Sequence, residues 1–285
     1  MALTALVAVF AAGCSSAAFF LANAPSAFGS YHRVADLSYG PEPRQRLDVY
    51  SPHDGKDRPV VIFWHGGSWQ MGHRAQYRFV GAALAERGFV TVLPDYRLYP
   101  EVKFPRFAED GAQAVAWVQR HVREYGGDPE RIVLVGHSAG AHMAAFLALN
   151  EVYLERAGAR PRGIVGLVGI SGPYALEPDT DALRTIFASP YGPAEWQAVR
   201  FVSDHSPPTL LIHGLNDTIV SPTHTQKLRD ALEEHGVRVE TELYEGEGHS
   251  DTIASFSVLA RRRTPALART VRFIESVTAK SGPSR

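Results

Sequence analysis

Five continuous apolar runs recur along the chain, and they decide most of what it can fold into. They are Val60-Val61-Ile62-Phe63-Trp64, Phe89-Val90-Thr91-Val92-Leu93, Ile132-Val133-Leu134-Val135, residues 163–170 and Thr209-Leu210-Leu211-Ile212. None alternates, as expected of strands covered on both faces. Between them lie segments with helical spacing, at 76–87, 107–125, 139–150 and 222–235. In the second of these Ala108, Ala112, Val115, Val118 and Val122 share one face. Arg46-Leu47-Asp48-Val49-Tyr50 alternates like a half-exposed strand, residues 237–244 form a last strand and 264–278 a closing helix. Strands alternating with helices predict an α/β fold, a mostly parallel central sheet flanked by helices. At 285 residues, 45% hydrophobic, the chain can bury a substantial core in one domain, placed at 46–280. Residues 25–45, rich in Pro, Gly, Ser and Tyr, read as a tether. Residues 171–206 have no clean period and read as a short cap or lid.

Net charge −1 and a pI near 6.9 provide no overall field for nucleic acid or an anionic membrane. Arg261-Arg262-Arg263 reads as a solvated helix face. Cys14 is the sole cysteine, so no intrachain disulfide can form. The twelve histidines show no metal-ligand spacing, and neither metal nor organic cofactor is expected.

Residues 1–24 are uncharged, with an apolar run from Ala5 to Ala12 of signal-peptide length. Ala12-Gly13-Cys14-Ser15 resembles a bacterial lipoprotein processing site, with Cys14 as the acylated residue, and Ala22-Asn23-Ala24 fits an A-x-A cleavage site. The expectation is export to the bacterial cell envelope, with membrane attachment through the amino terminus. The alternative is a cytoplasmic protein with an uncleaved apolar leader.

Gly136-His137-Ser138-Ala139-Gly140 sits between a strand and a helix, the context in which G-x-S-x-G makes a nucleophile elbow. A serine hydroxyl needs a base to take its proton and an acid to orient that base. Asp217 follows strand 209–213 and His249 follows the last strand. Both therefore fall on the carboxyl edge of the sheet with Ser138, in the order this fold requires. His65-Gly66-Gly67 ends the first apolar strand. The N–H groups of Gly66, Gly67 and Ala139 are the candidate oxyanion donors. His213 reads as a packed structural residue, His142 as core, His137 as pointing away from the serine, and His65 as shaping the glycine loop. Asp95 and Asp128 read as loop and turn residues.

His65-Gly66-Gly67-Ser68-Trp69, Asp95-Tyr96-Arg97-Leu98-Tyr99-Pro100-Glu101, Gly126-Gly127-Asp128-Pro129-Glu130-Arg131 and the elbow occur here in the order found in α/β-hydrolase carboxylesterases. The chain resembles the hormone-sensitive-lipase-like group, and more closely esterases similar to isoprenylcysteine methylesterase and kynurenine formamidase. The likeness spans about 46–278. It implies a serine carboxylesterase acting on small or medium esters through Ser138, Asp217, His249 and an acyl-enzyme. An amidase or formamidase would use the same residues, and a non-catalytic binding protein of this fold is the third class. The group's large amino-terminal helical cap is missing, so a more open site is expected, covered mainly by 171–206. Trp69, Tyr99, Phe104 and Tyr174 are candidates for its pocket.

Overall fold

The computed structural model describes residues 17–279. Cys14 and most of the leader lie outside the described residues. Residues 17–23 are helical (α1). Eight strands follow: β1 (His32–Ser38), β2 (Arg46–Ser51), β3 (Arg58–Trp64), β4 (Val90–Pro94), β5 (Gly127–His137), β6 (Ile164–Ile170), β7 (Thr209–Gly214) and β8 (Val239–Tyr244). Between and after them run α2 (Arg78–Ala85), α3 (Arg106–His121), α4 (Ala139–Leu149), α5 (Glu151–Arg156), α6 (Asp181–Ile186), α7 (Pro193–Trp196), α8 (Thr223–Glu234), α9 (Asp251–Ala254) and α10 (Ala266–Thr278).

The sheet order is β1-β2-β4-β3-β5-β6-β7-β8. β1 and β2 are antiparallel to their neighbours, and the pairs from β4 to β8 are parallel. Each central strand feeds two cores because successive side chains point to opposite faces. Val60, Ile62 and Trp64 pack on the side of α3 and α4. Val61 and Phe63 pack on the side of α2 and α10. The parallel sheet and its continuous apolar strands are those read from the sequence. So is the irregular stretch 171–206, which carries only short helices.

The tether reading is corrected. Residues 32–38 form edge strand β1, antiparallel to β2. A bulge between Val34 and Leu37 puts Asp36 at φ 61° and turns its carboxylate onto Arg74 at 2.7 Å. β1 therefore closes a buried charge cluster. Asp48 takes Arg33 at 2.7 Å and Arg74 Nε at 2.9 Å, and Arg74 Nη1 also pairs with Asp95. The Arg261–Arg263 run lies in turns before α10 rather than on a helix.

Candidate active site

β5 ends on His137, and the chain turns so sharply into α4 that Ser138 is held at φ 56°, ψ −124°. The turn needs glycine on both sides. A Cβ on Gly136 would stand 2.1 Å from the Gly140 carbonyl oxygen, and one on Gly140 2.1 Å from that of Trp64. Gly66 crosses directly over the serine, where a Cβ would lie 3.0 Å from Ser138 Cβ. Such strain persists only where surrounding structure imposes it, and it clusters at functional sites.

The loops after β7 and β8 come together through Gly214, where a Cβ would lie 2.3 Å from the Glu247 carbonyl oxygen. The Asn216 N–H then bonds that oxygen at 2.9 Å. This approach lets His249 Nδ1–H donate to Asp217 Oδ2 at 2.7 Å. Oδ1 of Asp217 accepts the N–H groups of Ile219 and Val220, both at 2.9 Å. Burial would raise the Asp217 pKa. Hydrogen bonds from His213, His249 and the Val220 N–H, with the charge of His249, instead hold it well below the usual carboxylate range.

His213 is more than packing. Its Nε2–H donates to Asp217 Oδ2 at 3.1 Å and to the Val220 carbonyl at 3.0 Å, while Thr225 donates to Nδ1 at 2.7 Å. One neutral tautomer satisfies all three partners. His137 is also placed to matter. Its Nε2–H donates to the His249 carbonyl at 3.0 Å, and the two rings lie 4.9 Å apart. Burial and the neighbouring His249 push the His137 pKa down to about 3. It is therefore neutral at physiological pH.

Ser138, Ala139, Ser68 and Trp69 line one cavity of about 110 Å³. Ser68 and Trp69 stand at φ 51° and 58°. The N–H groups of Gly67 and Ser68 have no acceptor among the described residues, and Ala139 opens α4, where amides are free. The Gly66 N–H instead faces the Tyr77 hydroxyl, and Ser68 takes its place beside the cavity. The chain turns at Gly67, which stands at φ 127°.

The loop is held from behind. His65 Nδ1–H donates to the Gly66 carbonyl at 2.8 Å. Its Nε2 lies 3.3 Å from Asp95 Oδ1, off-axis for a hydrogen bond. Asp95 is buried, which would raise its pKa. Contacts with His65, His73 and the Arg74 N–H lower it to about 2. Asp95 is thus the centre of an ion cluster as well as a loop residue.

Of the four aromatic pocket candidates only Trp69 lines the cavity. Phe104 packs among Phe107, Phe146, Phe187, Tyr191 and Trp196. Tyr174 is fully buried against Gly169 and Gly172. Tyr99 lies against the core with its N–H on the Trp69 carbonyl. The cap supplies the other walls, Pro173, Leu176, Glu177, Asp179 and Leu183, with Ile219, Val220 and His224 opposite. Among the described residues no group of three or more His, Cys, Asp or Glu could hold a metal ion.

Residues 47–160 match the family model described as BD-FAE. The chain is similar to isoprenylcysteine alpha-carbonyl methylesterase ICME of Arabidopsis thaliana, 33% identical over 256 residues, 81% of this chain and 60% of the relative. It is also similar to esterase LipC of Mycobacterium tuberculosis, 34% identical over 203 residues, 64% of this chain and 50% of the relative. It thus spans between half and three-fifths of the length of these relatives. A solved structure of esterase B from Lactobacillus rhamnosis superposes with TM-score 0.77 at 21% identity, covering 96% of this chain and 95% of that one, a likeness of fold.

Proposed function

We propose that the chain is an esterase of the α/β-hydrolase group, a serine carboxylesterase working through Ser138, His249 and Asp217. The observation that carries the reading is the 2.7 Å bond from His249 Nδ1 to Asp217 Oδ2, at the sheet edge where Ser138 stands in its strained turn. With Nδ1–H bound to the carboxylate, Nε2 is the free base. Ser138 Oγ attacks the ester carbonyl carbon as its proton passes to His249. The carbonyl oxygen becomes an oxyanion held by the N–H groups of Ala139, Gly67 and Ser68. Collapse breaks the ester bond. His249 returns the proton to the departing alkoxide, leaving the acyl group on Ser138. Water deprotonated by His249 then attacks the acyl carbon, the bond to Oγ breaks, and His249 returns the proton to Ser138 as the acid leaves. Asp217, kept ionised, steadies the imidazolium formed in each half.

The small cavity favours small or medium acyl groups. The relatives' methylesterase and esterase names support the ester reading, and a formamidase using the same residues is the second reading. Export, with attachment through an acylated Cys14, is the accompanying proposal for location, carried by the processing motif in the sequence.

The test is hydrolysis of p-nitrophenyl esters of increasing chain length beside aryl formamides, with mass spectrometry after an alkyl phosphonate. Phosphonylation of Ser138 and loss of ester turnover in Ser138→Ala are expected. Turnover that survives Ser138→Ala overturns the mechanism, and faster formamide hydrolysis favours the second reading.

A further inference from the structure

The face where residues 1–16 join the fold carries an arrangement that ester hydrolysis does not use. α1 lies across the start of α2 and the turns at 255–263. Phe19 and Ala22 pack inward on that side of the core, Phe19 with its ring 5.3 Å from that of Tyr77. Ser257 Oγ donates to the Ala22 carbonyl at 2.9 Å. The Asn23 amide donates to the carbonyls of Ala75 and Gln76 and accepts the Phe79 N–H. What remains outside is apolar. Phe20, Leu21, Phe28, Val258 and Leu259 are five of the eleven large apolar side chains exposed among the described residues.

Arginines lie beside them: Arg87, Arg261 and Arg272 line the adjoining clefts, Arg78 lies near Tyr31, and Arg262 follows Arg261 in the chain. Arg78, Arg87, Arg261, Arg262 and Arg272 have no carboxylate partner among the described residues. The neighbouring ion pairs belong to Arg263, with Glu247 and Asp251, and to Arg269, with Glu240 and Glu242. Glu86 is the acid on this face, beside Arg87 and Tyr31. Arg261 connects two clefts. One is lined by Ala22, Phe79 and Val258. The other, about 280 Å³, is lined by Arg87, Leu267, Val271 and Arg272.

We propose that this face docks on the surface of an anionic phospholipid bilayer. Scattered exposed apolar residues need no explanation, but a cluster rimmed by unpaired arginines matches a headgroup boundary. The apolar side chains enter the upper acyl region, and the guanidinium groups take the phosphates. Residues 1–16, which lead into α1, are uncharged and largely apolar, a composition compatible with the same surface. The net charge of −1 does not oppose the contact, because charges beyond about 10 Å are screened at physiological salt. The inference is independent of the esterase reading and of acylation on Cys14.

Full-length chain with Cys14→Ser, which removes acylation, is floated with vesicles of phosphatidylcholine alone or mixed with phosphatidylglycerol. Stronger binding to the anionic vesicles, weakened by salt, is expected. Val258→Asp with Leu259→Asp should lower that binding about tenfold or more, and so, separately, should Arg78→Glu with Arg262→Glu and Arg272→Glu. Circular dichroism and ester turnover should not change, since none of these residues touches the cavity. Undiminished binding by both folded variants assigns lipid contact to residues 1–16 alone and overturns the proposal. So does a concentration-dependent dimer that the substitutions abolish in the absence of any vesicle binding.

Discussion

His213 holds Asp217: its Nε2 lies 3.1 Å from Oδ2, the oxygen that also receives the His249 N–H at 2.7 Å. The carboxylate therefore cannot swing without breaking a buried contact. His213→Leu should lower kcat about tenfold with little change in KM, because orientation of the base is lost and not substrate contact. His213→Gln, which can donate through its amide, should recover part of the rate. Equal loss in both variants would point to a packing role.

The elbow and the junction of the two loops tolerate no side chain where glycine stands. Gly140→Ala drives a methyl group into the Trp64 carbonyl oxygen, 2.1 Å away, where backbone on both sides must shift. A stability loss of about 3 kcal/mol or more is expected in chemical denaturation, with activity abolished. Gly214→Ala, against Glu247, should lower activity more than stability, because it separates Asp217 from His249.

Asp95 supports the glycine loop at a distance from the reacting atoms. Asp95→Asn leaves Arg74 and the His65 ring facing a neutral amide inside a buried cluster. Loss of one partner from such a cluster costs about 3–5 kcal/mol. A fall in kcat should accompany it as the Gly66 carbonyl loses its fixed donor. Calorimetry with steady-state kinetics checks both, and an unchanged melting temperature would sink the assignment.

Acid should weaken the fold in two stages. His137 and His142 are buried neutral, with pKa values lowered to about 3 and about 4, chiefly by burial. The stability tied to a depressed histidine pKa is complete above the unfolded value near 6.5 and is lost as pH falls toward the folded value. At pH 5 each should have lost about 2 kcal/mol. The carboxylates of Asp48, Asp95 and Asp217 are also lowered. Their contribution is complete above the ordinary carboxylate range and disappears below it, for Asp95 toward pH 2. Melting temperatures in matched buffers should thus begin to fall near pH 6.5, and His142→Gln should flatten that first limb.

Removing residues 1–24 strips Asn23 from the start of α2 and Ala22 from Ser257. Five hydrogen bonds disappear, counting that from Ser26 Oγ to the Asn23 carbonyl, at up to about 1 kcal/mol each. A chain starting at Pro25 should be less stable than one starting at Ala17 by about 2–4 kcal/mol in urea denaturation. Equal stability would show that the docked segment contributes nothing.

The parallel strands β3 to β7 were legible because their central residues are buried on both faces, and residues with that environment are apolar without a break. β1 was not, because an edge strand so exposed needs no pattern; His32, Arg33, Asp36 and Ser38 look like any polar connector. Asp217 and His249 could be located because the fold dictates which loops reach the serine's edge. Whether a loop aromatic faces that edge or the core depends on contacts distant in sequence, so Tyr99, Phe104 and Tyr174 read the same as Trp69. His213 was underestimated for a similar reason. Its ring finds Asp217 four residues on only because the chain folds back after β7.

His137 joins two parts of the centre that the chain keeps 112 residues apart. It is covalently next to Ser138, and its ring grips the His249 carbonyl. Any drift of the loop after β8 is therefore gauged against the end of β5, where the nucleophile is anchored. On the proposed mechanism that contact holds Ser138 and His249 in register, while the cap at 171–206 makes no part of it. New substrates can be explored in such a chain without retuning the alignment on which bond cleavage depends.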